Sequence, residues 1–429
     1  MRAYLSICNL GPISQCKLEL DDFTVLTGRQ ASGKSTIAKC IFFCRTIKDD
    51  ILTEILRYKM SFTLENDAPQ KLFKKVKKSI REKFLQIFGT SLAMSSDMSI
   101  HYKYSTETWI KVSLRRAEGL KYINTKFVII DFSDDINTFL HRFDKEPVDR
   151  TELQKKLNYL FHDDYDTIFI PAGRSLISLF TLQLNYIFAT MDDEQKKSLD
   201  YCTQKYIEYI LKIRPFFSNG IQGLVFNYNN QTSNIQAAQN IMDNVLHGTY
   251  VYENGEERLY FTNNQGLNRY VRMNYTSSGQ QESVWIFNIL LYLLTNKSKA
   301  FIIVEEPEAH LYPDAQKSIS EMLALMLNSN CQLLITTHSP YILGALNNLI
   351  YARHLCTNHN IAEKVKKLVN KNQQISNYNA YFVDGGEIES CLEDGSEKLI
   401  INEVIDGASK DINQLYDDLF DISLSIDGE

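Results

Sequence analysis

The run GRQASGKST, from Gly28 to Thr36, constrains the fold of this 429-residue chain more than any other stretch. It fits the pattern G-x-x-x-x-G-K-[ST], follows the apolar segment Phe23–Thr27 and precedes apolar residues at helical spacing. The pattern is informative in this context, between a strand and a helix. Glycines let the backbone approach an anion closely, and free N–H groups at the start of the next helix bind phosphate. The run therefore predicts a phosphate-binding loop.

Two positions of this loop have expected roles of their own. Lys34 is expected to reach the β- and γ-phosphates of a nucleotide, and the Ser35 hydroxyl is expected to ligate Mg²⁺. The alternative is a chance match in a loop rich in glycine and serine, and the flanking strand and helix argue against it. The loop residues predicted to contact the nucleotide are Gly28, Arg29, Ala31, Ser32, Gly33, Lys34, Ser35 and Thr36.

A second motif follows the apolar run Phe301–Val304, which is typical of a buried parallel strand. The run ends in adjacent acids, Glu305 and Glu306, at the edge of the sheet where ligands bind. Glu305 is expected to hold Mg²⁺, and Glu306 is expected to polarise the water that attacks the γ-phosphate. The alternative is an acidic pair at a strand end on the surface, which fits poorly with a chain that also carries a phosphate loop.

A further apolar segment, Cys331–Thr336, ends in the sequence THSP. A lone histidine is more often structural, but His338 follows a strand of the same predicted sheet. There it can contact the γ-phosphate or the attacking water, so it is predicted to act beside Glu306. The segment at residues 276–282, TSSGQQE, precedes an apolar helical stretch and predicts another anion site at a helix start. One nucleotide needs one phosphate loop, so a second anion site is explained if it serves the nucleotide of a partner subunit.

Composition narrows the class of protein. No uninterrupted apolar run of about 18 residues occurs, so no membrane span is expected, and the N-terminus lacks a signal-peptide pattern. The 8 cysteines form no C-x-x-C pair and are expected to be free thiols in a cytoplasmic protein. The net charge of −6 argues against general nucleic-acid binding, although the stretch Lys71–Lys83 is basic. That stretch is either a solvated helix face or a contact with a phosphate backbone.

Together these segments resemble the ABC-type ATPases. GRQASGKST corresponds to Walker A, SSGQQE to a divergent signature, FIIVEEPEAHL to Walker B and TTHSP to the switch loop. The phrases EEPEAHLYP and THSPYIL, and the pairing of IPAGR with SSGQQE, are similar to the RecF/SMC/OLD-like branch. They are also similar to OLD-like ATPase subunits of bacterial anti-phage systems of the Septu type. No Toprim nuclease layout, as in full-length OLD nucleases, is recognised in the chain.

The resemblance implies an α/β fold. It consists of a P-loop ABC-type ATPase head, with a mixed central sheet and an antiparallel β subdomain, plus a helical insert lobe.

The Asn/Gln-rich stretch Asn227–Asn240 is expected to be a loop, and hairpin turns are expected at 253–255 and 263–266. The predicted divisions are a head at 1–47 and 248–354 with strands from 98–131 and 166–174, helical insertions at 48–97 and 132–165, a helical lobe at 176–247, and an acidic α/β extension at 355–429.

The same resemblance implies roles residue by residue. Glu306 matches the catalytic glutamate and His338 matches the switch histidine. Glu305 stands where aspartate is usual, and Gln280 replaces a glycine of the signature. The signature positions implied to contact the ATP of a second subunit are Ser278, Gly279 and Gln281.

These residues are compatible with three functions. The first is a switch that uses ATP and Mg²⁺, a homodimer with ATP between its subunits. It would control an effector protein (a nuclease or toxin) or DNA engagement in anti-phage defence. The second is a scaffold or inhibitor subunit that keeps ATP bound, which Glu305 and Gln280 favour. The third is a RecF-like DNA repair ATPase that binds DNA through the basic stretch Lys71–Lys83.

Overall fold

A computed structural model describes residues 2–61, 69–116, 126–142, 149–175, 186, 190–192, 199–228, 232–262, 268–395, 397–401 and 414. The strands of these residues form one sheet of six strands, one of five and one of three. None of the described helices combines the length and the apolar character that a membrane span requires.

The six-stranded sheet is the centre of the fold. Its strands are β3 (Phe23–Gly28), β7 (Asp166–Ile170), β11 (Ala300–Glu305), β12 (Gln332–Thr337), β13 (Tyr378–Asp384) and β14 (Glu387–Ser390). They lie in the order β14-β13-β3-β12-β11-β7, and neighbours are parallel except for the antiparallel pair β13–β14. The central strands β3 and β11 are buried at every position because both faces of a parallel sheet are covered. The carboxyl ends of β3, β11 and β12 therefore meet at one edge.

Helices cover both faces of this sheet. On β11, Ile302 and Val304 belong to one apolar core, whereas Phe301 and Ile303 belong to the other. The first core is built mainly with α6–α11 and the second mainly with α1–α5. The helices are α1 (Lys34–Arg45), α2 (Ile47–Ser61), α3 (Pro69–Phe88), α4 (Asp134–Arg142), α5 (Arg150–Leu160), α6 (Tyr201–Ile213), α7 (Gly220–Asn227), α8 (Ser233–Leu246), α9 (Ser278–Thr295), α10 (Pro313–Leu327), α11 (Pro340–Leu355) and α12 (His359–Leu368).

The two smaller sheets are antiparallel. Strands β1 (Tyr4–Leu10), β2 (Ile13–Glu19), β4 (Ser99–Lys103), β5 (Trp109–Arg116) and β6 (Lys126–Phe132) form one, and β8 (Thr249–Glu253), β9 (Glu256–Thr262) and β10 (Asn268–Arg272) form the other. Asn254 and Gly255 both have positive φ in the tight turn that joins β8 to β9. The predicted hairpin at 253–255 is confirmed. The other predicted turn, 263–266, lies outside the described residues.

Helix α8 corrects one prediction. The stretch Asn227–Asn240 is predicted to be a loop, which is wrong from Ser233 onward because the helix begins there. The Thr232 side chain caps this helix by accepting a hydrogen bond from the Ile235 N–H. Most residues of the stretch are polar, but buried apolar residues recur at helical spacing and form one side of the helix. The buried residues are Ile235, Ala238, Ile241, Met242 and Leu246.

The segment that follows the switch loop contributes to the central sheet. Strand β13 lies within the predicted extension 355–429, and it pairs with β3 over the whole length of that strand. The carbonyl oxygen of Gly386, after β13, also accepts a hydrogen bond of 2.9 Å from the Ser14 N–H. The predicted fold class is confirmed: an α/β chain with a mixed central sheet, an antiparallel β subdomain and helical parts. The predicted domain limits stay a prediction.

Candidate active site

The phosphate loop connects β3 to α1 at the carboxyl edge of the sheet. Gly28 has a φ of 138° and Gly33 a φ of 110°, a region that favours glycine. A Cβ at Gly28 would lie 2.1 Å from the carbonyl oxygen of Val383, and a Cβ at Gly33 would lie 2.3 Å from Ile13 Cδ1. No side chain caps the start of α1 at Gly33, which leaves the N–H groups at this helix start to an anion.

Lys34 is the first residue of α1 and is 5% exposed. Its Nζ donates hydrogen bonds to the carbonyl oxygens of Gly28, at 2.9 Å, and Arg29, at 2.7 Å. The same Nζ lies 3.4 Å from Nδ1 of His338. Burial lowers the pKa of Lys34 to about 8, against the opposing effect of the nearby Glu306 carboxylate. An anion placed at the loop would favour the charged form again.

Glu305 ends β11 in a buried position beside the phosphate loop. The Ala172 N–H donates to Oε2 of its carboxylate at 3.3 Å, and the nearby Ser35 hydroxyl acts to lower the pKa of this carboxyl. Its Oε1 is buried without a hydrogen-bond partner, and burial raises the pKa of the carboxyl. These oxygens suit Mg²⁺, which binds few protein ligands and takes the rest from phosphate and water. Among the described residues, no group of three or more His, Cys, Asp or Glu forms a complete cage for a metal.

Glu306 lies just past β11, with a φ of 45° that is unusual for a residue other than glycine. Its N–H donates to the Thr336 carbonyl oxygen at 2.9 Å. Its Oε1 lies 3.5 Å from Nε2 of His338. The hydrogen bond from this imidazole lowers the pKa of Glu306, although partial burial opposes the shift. The structure thus brings Glu306 and His338 together with Lys34, and the Glu306 carboxyl is held in the ionised form that a base requires.

Glu308 is a site residue to which the sequence reasoning gave no role. Its Oε1 accepts hydrogen bonds from the Thr337 hydroxyl, at 2.8 Å, and from the His338 N–H, at 2.7 Å. Burial raises the pKa of Glu308, and these hydrogen bonds act against the shift. The side chain therefore fixes the loop that carries His338 to the segment that follows Glu306. The only sequence signal is a further acid within EEPEAHL.

The signature segment forms the start of α9. Ser277 and Gln280 form a capping box, and the Gln280 Nε2 also donates to the Leu246 carbonyl oxygen at 2.7 Å. A Cβ at Gly279 would lie 2.8 Å from the His310 carbonyl oxygen, so α9 begins against the segment that follows Glu306. Among the described residues, no hydrogen bond joins Ser278 or Gly279 to the phosphate loop. Gln281 is buried, and its Nε2 donates to the Thr276 carbonyl oxygen at 2.9 Å, whereas Ser278 is exposed.

Residues 1–343 match the AAA ATPase domain family, which covers the phosphate loop, the acidic strand end and His338. The chain belongs to this family. A similar curated protein is the Old nuclease of Escherichia phage P2, with 33% identity over 81 residues, which is 17% of this chain and 14% of that protein. The chain thus matches only a small part of the length of that relative. The family match and this similarity confirm the predicted resemblance to OLD-like ATPases, and the likeness to Septu-type subunits stays a prediction.

Two solved structures are similar over most of their length. One is an SMC head bound to the C-winged helix domain of ScpA, with a TM-score of 0.39 and 10% identity over 91% of this chain and 97% of that chain. The other is the SMC head domain from Thermotoga maritima, with a TM-score of 0.35 and 10% identity over 91% of this chain and 98% of that chain.

Proposed function

We propose that this chain binds and hydrolyses ATP at the carboxyl edge of its central sheet. The observation that carries the proposal is the convergence of Lys34, Glu306 and His338, which come from separate strand ends. The His338 ring lies 3.4 Å from the Lys34 Nζ and 3.5 Å from the Glu306 carboxylate. A cation for phosphate, a carboxylate base and a polar group that contacts both are the parts that phosphoryl transfer to water requires.

The residues have separable roles in this proposal. The N–H groups at the start of α1 and the Lys34 ammonium bind the phosphates. Glu306, kept ionised by His338, accepts the proton of the attacking water. Ser35 and Glu305 would hold Mg²⁺, which neutralises charge on the phosphates when it is bound. Because burial raises the pKa of Glu305, ligation of a cation there must compete with protonation.

We further propose a homodimer in which each copy contacts the ATP of the other. The Ser278 and Gly279 backbone begins α9, Ser278 is exposed, and among the described residues no hydrogen bond joins this helix start to the phosphate loop. A second copy that places this helix start on the γ-phosphate would supply the N–H donors that the first site lacks. Gln281 is less suited to contact the second ATP because its side chain is buried.

Phosphate release from ATP and Mg²⁺ tests the catalytic part of the proposal. Glu306→Gln removes the base and is expected to lower kcat by about 10²–10⁴-fold, and Lys34→Ala is expected to abolish turnover. The matched controls are Lys299→Ala, at an ion pair on the surface, and Glu363→Gln, at an exposed position of α12. Both controls are expected to keep full turnover. Equal turnover in the Glu306→Gln and unchanged proteins would exclude this site.

For the biological role, we propose control of an effector protein, a nuclease or toxin, in anti-phage defence and in the cytoplasm. The resemblance to OLD-like and Septu-type ATPases supports this role. Copurification of the chain with its genomic neighbours tests it, and a neighbour that elutes with the chain only in the presence of ATP is the expected result. A chain that retains no neighbour with or without ATP would contradict it.

A scaffold that keeps ATP bound is a second candidate, favoured by the raised pKa of Glu305 and by the side chain of Gln280. That side chain takes part in the capping box and donates a hydrogen bond to the Leu246 carbonyl oxygen. Brisk steady-state phosphate release would exclude the scaffold.

DNA engagement rests on the basic stretch of α3, and the structure reduces the number of lysines available for it. Lys83 is buried and pairs with Asp50 at 2.7 Å, and the Lys77 Nζ lies over the Phe73 ring. Lys74, Lys75 and Lys78 remain exposed. DNA binding that weakens with salt and is lost when these three are replaced by Gln would support this role, and DNA binding that is unchanged would exclude it.

A further inference from the structure

Arg174 lies in the loop that follows β7, and its side chain is only 1% exposed. Its Nη1 donates hydrogen bonds to the carbonyl oxygens of Glu305, at 2.7 Å, and Pro171, at 2.8 Å. Its Nη2 donates to the carbonyl oxygen of Glu306 at 2.9 Å. One buried guanidinium thus holds consecutive peptide groups at the acidic end of β11. The planar fork of arginine can hold several acceptors in fixed directions, and lysine cannot reproduce this.

The same arginine is tied to the start of α9. The Glu282 side chain, also 1% exposed, lies 3.2 Å from the Arg174 Nε. Its two carboxylate oxygens accept hydrogen bonds from the backbone N–H groups of Arg174, at 3.0 Å, and Ser175, at 2.8 Å. The Glu282 carbonyl oxygen accepts a further bond from Arg174 Nε at 2.9 Å. The loop after β7, the acidic strand end and α9 therefore share one buried network.

This network acts on a strained residue. Glu306 has a φ of 45°, and residues other than glycine keep such a conformation only where the surroundings hold it. Its N–H is bound by Thr336 on one side, and its carbonyl oxygen is bound by Arg174 on the other. Glu282 is one helical turn from Ser278, the exposed residue at the start of α9.

We propose that Arg174 and Glu282 are positioning residues that set the orientation of the Glu306 carboxylate and link it to the start of α9. Docking of a second copy at Ser278 and Gly279 would press on α9, and the buried pair passes that displacement to the Glu306 peptide. The inference rests on the proposed hydrolysis of ATP at Glu306. It assigns neither residue a contact with the nucleotide.

The kinetic consequence separates this role from a purely structural ion pair. Arg174→Lys keeps the charge, but an ammonium cannot hold the Glu305 and Glu306 carbonyl oxygens as the guanidinium fork does. We expect kcat for ATP to fall by about tenfold to a hundredfold, since small displacements of a catalytic group have effects of this size. The KM for ATP is expected to change by less than about twofold, because the phosphate loop is untouched.

A matched control is Arg45→Lys. Arg45 is also buried and pairs with a buried carboxylate, Asp163, at 2.8 Å. It ends α1 about 16 Å along the helix from Lys34, so the substitution changes stability without reaching the site. We expect Arg45→Lys to lower the urea midpoint of unfolding and to keep kcat. Glu282→Gln is the second variant of the pair, and it is expected to lower kcat like Arg174→Lys.

A lowered kcat with an unchanged KM in both Arg174→Lys and Glu282→Gln, together with normal kcat in Arg45→Lys, supports the inference. An unchanged kcat in either folded variant overturns it while the proposed ATPase stands. Equal losses of kcat in Arg174→Lys and Arg45→Lys also overturn it, because general destabilisation would then explain the effect. No turnover in the unchanged protein overturns both the proposed function and the inference.

Discussion

Glu308 gives the sharpest prediction about how the site is built. Its Oε1 accepts hydrogen bonds from the Thr337 hydroxyl and the His338 N–H. Bonds to a charged group contribute about 1.5–3 kcal/mol each, so this pair accounts for roughly 3–6 kcal/mol. Burial raises the pKa of this carboxyl and its Oε2 has no partner, so a desolvation cost offsets part of the gain. We therefore expect Glu308→Ala to lower the free energy of unfolding by about 2–4 kcal/mol.

Glu308→Gln is the matched control for this prediction. The amide oxygen of Gln still accepts hydrogen bonds, and no buried charge remains, so the expected loss is less than about 1 kcal/mol. Urea denaturation of the three proteins measures the difference, and phosphate release from ATP measures the effect on His338. We expect Glu308→Ala to lower kcat as well, because its substitution frees the backbone of His338. Equal urea midpoints for the Ala and Gln variants would show that the hydrogen bonds accepted by the Glu308 side chain do not stabilise the protein.

Three further predictions concern nucleotide binding, packing at the phosphate loop and assembly. Because the Lys34 pKa is lowered to about 8, its charge is present below that pH and is lost above it, so ATP binding should weaken about tenfold between pH 7 and pH 9. A fluorescent ATP analogue measures this, and an equal slope in Lys34→Ala would contradict it. Gly28→Ala would place Cβ 2.1 Å from the Val383 carbonyl oxygen, so thermal unfolding should show that the free energy of unfolding falls by at least about 2 kcal/mol. Unchanged stability would contradict this close approach of β13 to the phosphate loop. Gly279→Ala would place Cβ 2.8 Å from the His310 carbonyl oxygen and so displace the start of α9. ATP-dependent dimerisation should then weaken while ATP binding by the single chain stays normal. Normal dimerisation of this variant would contradict the prediction.

The sequence predicts the parts of this site whose signals are local. The phosphate loop is read from the pattern around Lys34 and its flanking strand and helix. The strand ends at Glu306 and His338 are read from short apolar runs, because a parallel sheet covered on both faces favours apolar residues in its central strands. Such patterns also place their carboxyl ends at one edge, which is why these residues could be grouped before the structure was known.

Contacts between distant segments leave no such pattern. Arg174 and Glu282 are 108 positions apart, and the sequence around either residue gives no sign that it pairs with the other. Glu308 acts on a loop about 30 positions away, and its role depends on the register of β11 beside β12. Strand β13 joins β3 from the opposite end of the chain. Helix α8 is not recognised from its largely polar composition, since apolar residues at helical spacing occur only on its buried side.

Sedimentation of the Glu306→Gln protein with ATP and Mg²⁺ shows whether a second copy completes the ATP site, because this substitution removes the proposed base and leaves the binding residues in place. We predict an ATP-dependent species of twice the 49.6 kDa chain mass, which is lost when the Lys34→Ala substitution is added. A particle that stays at 49.6 kDa while ATP is bound would contradict a site completed by a second copy.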